Sequence, residues 1–363
     1  MPFATEPPHT HGTPASTAIL LCNLGTPDAP TSASLRRFLA EFLSDPRVVE
    51  VPRLLWLLIL HGFILRVRPA KSARKYASIW TADGSPLKVW TDKQAKMLGG
   101  YLGERGHRVS VRVAMRYAGP SISSVLDELK TQGVNRVLIL PLYPQYSGTT
   151  TASIIDAVCE WARRSRVIPE LRFVNHYHDD AGYIGALAKR ITDHWARHGR
   201  PDKLVLSFHG VPKRTLALGD PYHCECHKTA RLVRERLGVP TDFVRVTFQS
   251  RLGKAEWLQP YTEPSLIEMA KQGIHRVDVM CPGFTSDNLE TLEEINMEAR
   301  EAFLHAGGRE FHHIPCLNDQ HEWIAALSAI AISHLHGWPT QARDDPVALE
   351  TQRVRAKALG ANG

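Results

Sequence analysis

The chain has 363 residues, more than one hydrophobic core usually serves, and its 43% hydrophobic and 22% charged residues lie near the average of globular proteins. This composition excludes a collagen, a coiled coil and a chain that is disordered throughout. The net charge of +7 comes from scattered residues rather than from a basic patch interleaved with aromatic residues, so we expect small acidic ligands and no nucleic acid.

The termini and the cysteines indicate a cytoplasmic protein with reduced thiols. Residues 1–16 lack the apolar segment of a signal peptide and are predicted to form a disordered N-terminus. No apolar stretch of the sequence reaches the roughly 20 residues that cross a bilayer. The six cysteines lack the regular spacing of a disulfide framework.

The first half of the chain alternates strand-like runs with amphipathic helical segments. A turn is predicted at 83–86, and Thr91 with Gln94 has the spacing of a capping box that would start a helix at residue 91. The predicted strands are 18–22, 109–113, 136–140 and 171–175, and the predicted helices are 32–43, 91–104, 121–132 and 150–164.

The second half repeats this alternation. Its predicted strands are 203–208, 243–248, 276–280 and 311–315, and its predicted helices are 181–198, 222–237, 262–272, 287–306 and 320–336. Strands separated by helices predict an α/β fold of two doubly wound, four-stranded parallel sheets, Rossmann-like in character, that face each other across a cleft. We expect domains over 17–176 and 177–336, followed by a polar tail over 337–363.

The apolar stretch 54–65 permits two interpretations. It is too short to span a bilayer and could be a buried core helix. Alternatively it forms an apolar wall of a binding cleft that rests on a membrane surface. The second interpretation, a peripheral membrane contact, is favoured by the surrounding basic residues Arg53, His61, Arg66 and Arg68.

His209 follows the predicted strand 203–208 directly and precedes Gly210, which begins a loop. Ligands of open parallel sheets bind outside the carboxyl ends of the strands, so an imidazole that titrates near neutral pH lies where chemistry usually occurs. The alternative is that His209 only satisfies a backbone carbonyl.

Other predicted strand ends carry Asn, Arg, Tyr and Gln side chains, which suit a large, flat ligand with acidic substituents, although such residues are also common in clefts without a shared ligand. No dinucleotide or Walker motif occurs, which disfavours nucleotides as ligands.

A row of carboxylates follows the strand 276–280. Glu290, Glu294 and Glu298 are spaced four apart on a predicted helix that Ser286 or Asp287 would cap, and no Lys or Arg is interleaved with them. Such a row is either a solvated face or a path for metal ions and protons. With His209, it would suit the insertion of a metal into a tetrapyrrole, which requires a weakly held metal ion and the removal of two pyrrole protons.

Eight segments, in order, resemble the bacterial type of ferrochelatase, and the resemblance covers residues 18–330. The two most specific are Ser207-Phe208-His209-Gly210-Val211-Pro212 and the run from Pro282 to Leu292, which contains Ser286-Asp287-Asn288-Leu289-Glu290-Thr291-Leu292. The other six are 23–27, 84–87, 115–117, 143–147, 219–222 and 247–251.

The resemblance implies a ferrochelatase that inserts Fe²⁺ into protoporphyrin IX. It implies that His209 and Glu290 are the catalytic and metal-contacting pair, and that Glu294 and Glu298 continue the path on a helix locally widened to π geometry. It implies porphyrin contacts from the following residues: Leu24, Arg116, Tyr117 and Tyr143. Coproporphyrin or another metal as substrate, and a non-catalytic tetrapyrrole carrier, are the alternatives; the oligomeric state stays open.

Some relatives that the resemblance includes hold a [2Fe–2S] cluster on cysteines near the carboxyl terminus. This chain has no cysteine after Cys316, so we expect no such cluster and no resident cofactor. His223-Cys224-Glu225-Cys226-His227 gathers metal-binding side chains, but its Cys-x-Cys spacing is not that of a zinc site. We interpret the segment as the first turn of a helix.

Overall fold

Two parallel sheets organise the chain, whose computed structural model describes residues 3–251, 253, 255–341 and 345–361. The strands are β1 Ser16–Asn23, β2 Val109–Met115, β3 Val134–Pro141, β4 Glu170–Phe173, β5 Lys203–His209, β6 Val244–Gln249, β7 Arg276–Met280 and β8 Glu310–Ile314. Their orders are β2-β1-β3-β4 and β6-β5-β7-β8, all parallel. The predicted fold of two four-stranded parallel sheets is confirmed.

The helices flank and connect these strands. In the first half they are α1 Ser32–Ser44, α2 Arg53–Ile59, the π-helix π1 Leu60–Ile64, α3 Leu65–Ile79, α4 Pro86–Glu104, α5 Ile122–Thr131 and α6 Thr151–Arg164. In the second half they are α7 Ala181–His198, α8 Arg214–Ala217, α9 Tyr222–Leu237, α10 Thr262–Lys271, the π-helix π2 Glu290–Ala299, α11 Arg300–His305, α12 His321–His334 and α13 Pro346–Ala358. Among the described residues, none of the helices has the length and apolar character required to cross a bilayer.

Both faces of each sheet are buried, as the nearly continuous apolar runs of the central strands require. In β1, Leu20 faces α5 and α6, whereas Ile19 and Leu21 face the interior between the two sheets. In β5, Val205 faces the layer of α10, π2 and α11, whereas Leu206 faces the same interior as Ile19. The two sheets therefore contribute to one shared core.

The shared core joins the two halves of the chain. It contains side chains of α4 from the first half together with those of α7, α9 and α12 from the second, including the fully buried Trp323 and Leu327. Helix α12, from the end of the second half, packs against α4 as well as α7. A third group of helices, α1, π1 and α3, forms a smaller apolar cluster with Tyr117 beyond the carboxyl end of the first sheet.

The start of α4 differs from the prediction, because the helix begins at Pro86 and not at Thr91. Proline suits the first position of a helix since its missing N–H has no intrahelical partner there. The Thr91 hydroxyl donates to Leu87 O (2.7 Å) inside the helix, and Gln94 Nε2 donates across the molecule to Thr285 O and Asn318 O (both 2.8 Å). The capping-box prediction was therefore wrong.

The terminal segments contact the folded chain. The amide of Ala4 donates to Arg164 O (2.8 Å), and Glu6 pairs with Lys130 and accepts from the amide of Arg166 (2.6 Å), although 3–15 contain no helix or strand. The segment predicted as a polar tail contains α13, whose start Asp345 caps by accepting from the amides of residues 347 and 348. Its side chains are largely exposed, which explains why no apolar periodicity revealed it.

Candidate active site

In each sheet the chain proceeds to one side from the first central strand and to the other side from the second, so the strand order reverses between these two strands. Ligands of open α/β sheets usually bind at the carboxyl ends of such a strand pair. In the second sheet these strands are β5, which ends at His209, and β7, which leads to π2. In the first sheet they are β1, followed by Leu24, and β3, followed by Tyr143. The fold thus puts predicted site residues of both halves at the reversal points.

His209 has a defined tautomer. Its Nδ1 lies 2.6 Å from Gly210 O, and because a carbonyl only accepts, Nδ1 carries the proton. The Nε2 atom of the neutral ring then bears a lone pair and can accept a proton. His209 thus does bond to a backbone carbonyl, which the sequence left open as an alternative to a functional role. The same hydrogen bond also orients the His209 ring for proton transfer.

Gly210 is required by the packing behind His209. Its amide donates to Gln249 O (2.6 Å), and a Cβ added there would lie 2.9 Å from Ser250 O and 3.0 Å from Gln249 O. A side chain would push β5 away from the loop after β6 and displace the imidazole.

Glu290 begins π2, and its pKa connects it to His209. Burial raises the pKa of the Glu290 carboxyl, and the neighbouring His209 lowers it in part. Gln249 Nε2 donates to the backbone oxygen of Glu290 (3.1 Å), which joins π2 to the loop beside His209. The structure therefore brings the predicted pair into one electrostatic environment.

The side-chain cap of this helix is Asn288, not Ser286 or Asp287. Asn288 Oδ1 accepts from the amide of Thr291 (3.1 Å), and the Thr291 hydroxyl accepts from the amide of Asn288 (3.0 Å). Asp287 is instead a buried anchor whose carboxylate accepts from Asn318 Nδ2 (2.7 Å) and from the amide of Cys316 (3.2 Å). The carboxylate of Asp287 is thus used by tertiary contacts and is not available as a cap.

The π geometry places the carboxylates in different environments. The amide of Arg300 bonds to Ile295 O, five residues back, as in a π-helix. Glu294 accepts from the amide of Ser250 (2.7 Å) and from its hydroxyl. Ser250 has φ +58°, a left-handed conformation that few non-glycine residues adopt outside functional positions.

Lys75 of α3 supplies the positive charge that the sequence of π2 lacks. Its Nζ lies 2.9 Å from a Glu293 carboxylate oxygen and 2.8 Å from Glu298 Oε1. Burial alone would lower the pKa of Lys75, but the hydrogen bonds to Glu298 and Glu293, together with the negative charges of these two residues, raise it. Glu298 therefore belongs with Glu293 and Lys75, while Glu290 and Glu294 lie nearer the loop after β6.

Two tyrosines border Glu290. Burial, together with the charge of Glu290, raises the pKa of Tyr76 on α3. The Tyr143 hydroxyl is buried without a hydrogen-bond partner, and burial, followed by the charges of Tyr117, Cys22 and Glu290, raises its pKa. Both phenols stay protonated and can donate hydrogen bonds beside the carboxylate.

Arg116 and Tyr117 share a buried network with Asp45. Arg116 Nη2 lies 2.6 Å from Asp45 Oδ2, which also accepts from the Tyr117 hydroxyl (2.9 Å) and the Ser153 hydroxyl (2.5 Å). The Arg116 guanidinium stacks over the Tyr117 ring at 4.6 Å. Their polar groups are therefore already paired, and a direct contact with a ligand stays a prediction.

Leu24 is held by close backbone contacts. Its backbone oxygen accepts from the amide of Tyr117 (2.9 Å). The following Gly25 has φ +110°, and a Cβ added to it would lie only 1.9 Å from Tyr117 O. Only glycine fits this position, so the loop that carries Leu24 is fixed against Tyr117.

The apolar stretch 54–65 has an exposed side and a packed side. Leu54 is 84% exposed, Leu58 74% and Phe63 65%. Trp56 instead donates from Nε1 to Leu43 O (2.6 Å), and Leu57 packs against the cluster of α1, π1 and α3. The stretch is therefore a surface ridge, and its interpretation as a buried core helix was wrong.

Sequence reasoning missed several residues of this site. Lys75 and Tyr76 lie in no motif, and their relation to π2 depends on contacts between residues more than two hundred positions apart. The segment from His223 to His227 does open α9, as predicted. Within it Cys226 is buried and Cys224 exposed, so the two thiols do not converge.

Comparisons with known proteins identify the family and the type of fold. A sequence model of the family described as "Ferrochelatase" matches residues 16–335. A ferrochelatase from Methylibium petroleiphilum is 70% identical over 361 residues, covering 99% of each chain, and one from Polaromonas sp. is 68% identical over 365 residues, covering 99% of this chain and all of that protein. The solved sirohydrochlorin chelatase SirB of Bacillus subtilis subspecies spizizenii aligns with a TM-score of 0.51 and 13% identity over 89% of this chain and 97% of its own, a likeness of fold alone.

Proposed function

The chain belongs to the ferrochelatase family, and we propose that it inserts Fe²⁺ into protoporphyrin IX to form protohaem, the terminal step of haem biosynthesis. It is an enzyme, a metal chelatase of the lyase class, and iron and porphyrin are its two substrates. The observation that carries the proposal is the shared environment of His209 and Glu290 at the start of a π-helix lined with carboxylates.

His209 is the acceptor of pyrrole protons. Metal insertion releases two protons from the macrocycle, and an imidazole whose Nδ1 is tied to Gly210 O presents Nε2 as the base.

Glu290 contacts the metal or takes up the second proton, and Glu294 continues the path from it. A carboxyl group whose pKa is raised by burial holds and releases protons closer to neutral pH than an exposed glutamate does. Carboxylate oxygens and one imidazole also bind Fe²⁺ weakly enough to release it into the stronger tetrapyrrole.

The porphyrin contacts are Leu24, Arg116, Tyr117 and Tyr143. The unpaired hydroxyl of Tyr143 supports this assignment, because a buried donor without a partner is costly unless a ligand satisfies it. Arg116 and Tyr117 then contribute mainly by forming a rigid wall, since Asp45 occupies their polar groups.

We propose that no resident [2Fe–2S] cluster or other cofactor is needed. The sequence has no cysteine after Cys316, and Cys281, which precedes π2 in the chain, is buried. Acid-labile sulfide should be absent from anaerobically isolated protein, and a stoichiometric amount would contradict this proposal.

We also propose that the enzyme is cytoplasmic and rests on the inner membrane through residues 54–65. The exposed Leu54, Leu58 and Phe63 lie beside the exposed cationic side chains of Arg53 and Arg66. Apolar side chains flanked by positive charge are the composition of an interfacial, rather than spanning, membrane contact.

The test removes the two reactive groups singly and together. His209→Ala and Glu290→Ala should each lower kcat by about 100-fold or more, the scale of a lost acid–base group, while porphyrin still binds. Because residues that serve one step are strongly non-additive, the double variant should lose little more. Turnover is followed in the Soret band anaerobically, with Fe²⁺ and separately with Zn²⁺.

Matched controls are His321→Ala and Glu301→Ala, an exposed histidine and a glutamate that is 72% exposed. Both should keep wild-type turnover. Near wild-type turnover in a folded His209→Ala variant would exclude the proposed chemistry, and additive losses would reject only the shared step. Comparing protoporphyrin with coproporphyrin in the same assay identifies the preferred macrocycle.

A further inference from the structure

Glu225 of α9 lies in the histidine- and cysteine-rich segment 223–227, but the structure pairs it with two histidines that follow β4, far from it in the sequence. His176 and His178, which follow β4, and Glu225 each offer a ligand atom, and these atoms lie within 4.8 Å of one another. We propose that His176, His178 and Glu225 form a second metal site, separate from the reaction centre, that binds a divalent transition-metal ion.

The geometry of the three side chains is close to that of a metal site. His176 Nδ1 lies 2.7 Å from Glu225 Oε1, and His178 Nδ1 lies 3.3 Å from Glu225 Oε2. Metal–ligand bonds of about 2.0–2.2 Å place neighbouring ligand atoms roughly 3–3.5 Å apart around a tetrahedral ion. Small side-chain shifts are therefore sufficient to admit the ion.

An unpaired nitrogen supports the proposal independently. The side chain of His178 is only 6% exposed, and its Nδ1 has no hydrogen-bond partner, since its approach to Glu225 lacks the required alignment. A buried polar atom without a partner costs free energy, and coordination to a metal ion would recover it.

Neighbouring groups hold Glu225 and His178 in place, as residues around the ligands of metal sites usually do. The amide of Tyr146 donates to Glu225 Oε2 (2.7 Å), and the Thr229 hydroxyl donates to His178 O (2.7 Å). Asp179 Oδ1 lies 4.0 Å from His178 Nε2, the ring nitrogen left over when Nδ1 binds metal. Carboxylates and carbonyls around ligating histidines fix their orientation.

The donor set defines the class of metal. Two imidazoles and one carboxylate suit Zn²⁺ and the neighbouring divalent ions of the first transition row, and three protein ligands leave a position for water. The side chain of His176 is 50% exposed, so that position has a path to solvent. An ion here would connect the exit of β4, the loop that carries Tyr143 and Tyr146, and α9.

The experiment isolates this site from the reaction centre. In chelator-treated His209→Ala/Glu290→Gln protein, calorimetric titration with Zn²⁺ should show one bound ion, and Co²⁺ should give visible ligand-field bands. Adding His178→Ala should weaken Zn²⁺ binding by at least about tenfold, since losing even an outer partner of a ligand costs that much. His176→Ala, a change at a half-exposed position, should weaken it likewise.

His227→Ala is the control, since His227 belongs to the same histidine- and cysteine-rich segment but its ring contacts the rings of His223 and Phe248 instead. It should leave Zn²⁺ binding unchanged. The proposal is overturned if the His209→Ala/Glu290→Gln protein binds no Zn²⁺, or if folded His176→Ala and His178→Ala variants bind it with undiminished affinity. Far-UV circular dichroism establishes that each variant is folded.

Discussion

Glu290 holds a carboxyl group in a buried position next to His209, and burial raises its pKa. Between the ordinary pKa of a glutamate and the raised value, the folded protein binds more protons than the unfolded chain. The contribution of Glu290 to the free energy of unfolding is therefore fully present below the pKa that this carboxyl has in the unfolded chain. It is lost as the pH rises through the higher pKa of the folded protein. Once the buried Glu290 carboxyl ionises, its charge therefore destabilises the folded protein.

Replacing this carboxyl by an amide should thus separate stability from activity. We expect Glu290→Gln to raise the Tm at pH 7.5 and to lower turnover, because glutamine resembles the protonated acid. The gain in Tm should shrink as the pH falls and vanish near pH 4.5, the ordinary value of the group. Thermal melts between pH 4.5 and 8 measure this, and a Tm that falls at pH 7.5 would show that Glu290 has compensating partners.

The sequence identified candidate site residues where a reactive side chain lay at the end or start of a predicted strand or helix. His209 ends a strand, Glu290 belongs to a row of glutamates spaced four apart, and the family resemblance supplied the roles expected of both. Asp45 and Tyr76 could not be marked in this way, because each acquires its role from partners distant in sequence.

At the scale of elements, Lys75 connects α3 to π2 through Glu293 and Glu298. Removing it leaves the Glu293 carboxylate, only 11% exposed, without its counter-charge. We expect Lys75→Ala to lower the free energy of unfolding by about 1–3 kcal/mol, the cost of leaving a buried polar group unpaired. Urea unfolding measures the loss.

A suitable control is Lys189→Ala, which removes a surface ion pair with Asp193 whose partners are 49% and 43% exposed. That change should cost no more than about 0.5 kcal/mol. Equal losses in the two variants would mean that Lys75 acts as a surface charge. Adding Glu293→Gln to Lys75→Ala should restore part of the stability, since the uncompensated charge is then gone.

The exposed side of the ridge formed by α2, π1 and the start of α3 should bind membranes and contribute little to the stability of the fold. We expect Leu54→Ser/Leu58→Ser to weaken binding to vesicles with anionic lipid by about tenfold or more, since burying each leucine is worth roughly 1.5–3 kcal/mol. The Tm should stay unchanged because both side chains are exposed. Vesicle sedimentation measures binding.

Leu359→Ser, at a leucine that is 89% exposed at the end of α13 and outside residues 54–65, is the matched control and should not affect vesicle binding. Unchanged sedimentation of the Leu54→Ser/Leu58→Ser variant would contradict the proposed membrane contact.

The sequence patterns predicted most elements but not their irregularities. Each of the eight strands was placed within about two residues, because parallel strands carry continuous apolar runs. The π-helices lack a hydrophobic period of their own; π2 was anticipated only through the family resemblance, and π1 was not. Helix α13 packs too little apolar surface to leave a pattern.

At the scale of the whole molecule, the shared core makes the two halves interdependent. Side chains of both sheets and of α4, α7, α9 and α12 form one apolar cluster. We therefore expect a single cooperative unfolding transition instead of one for each half. Far-UV circular dichroism and tryptophan fluorescence should give coincident urea curves, and two separated transitions would contradict this.

Trp323→Ala tests the same interdependence, since Trp323 of α12 is fully buried within the shared core. It should cost about 3–5 kcal/mol, as large aromatic truncations in cores do. The loss should shift the entire transition, including signals from the first half. A loss confined to the second half would indicate independent domains.

The position of α12 has a consequence for the protein's synthesis. The ribosome completes the first sheet well before residues 321–334 emerge, yet α4 and β3 need α12 to cover their inner apolar surface. A growing chain that begins to fold from its amino end therefore exposes apolar surface until translation is almost finished. Such a nascent chain should be a client of ribosome-associated chaperones, and premature stop codons before residue 321 should yield aggregates instead of a folded amino-terminal fragment.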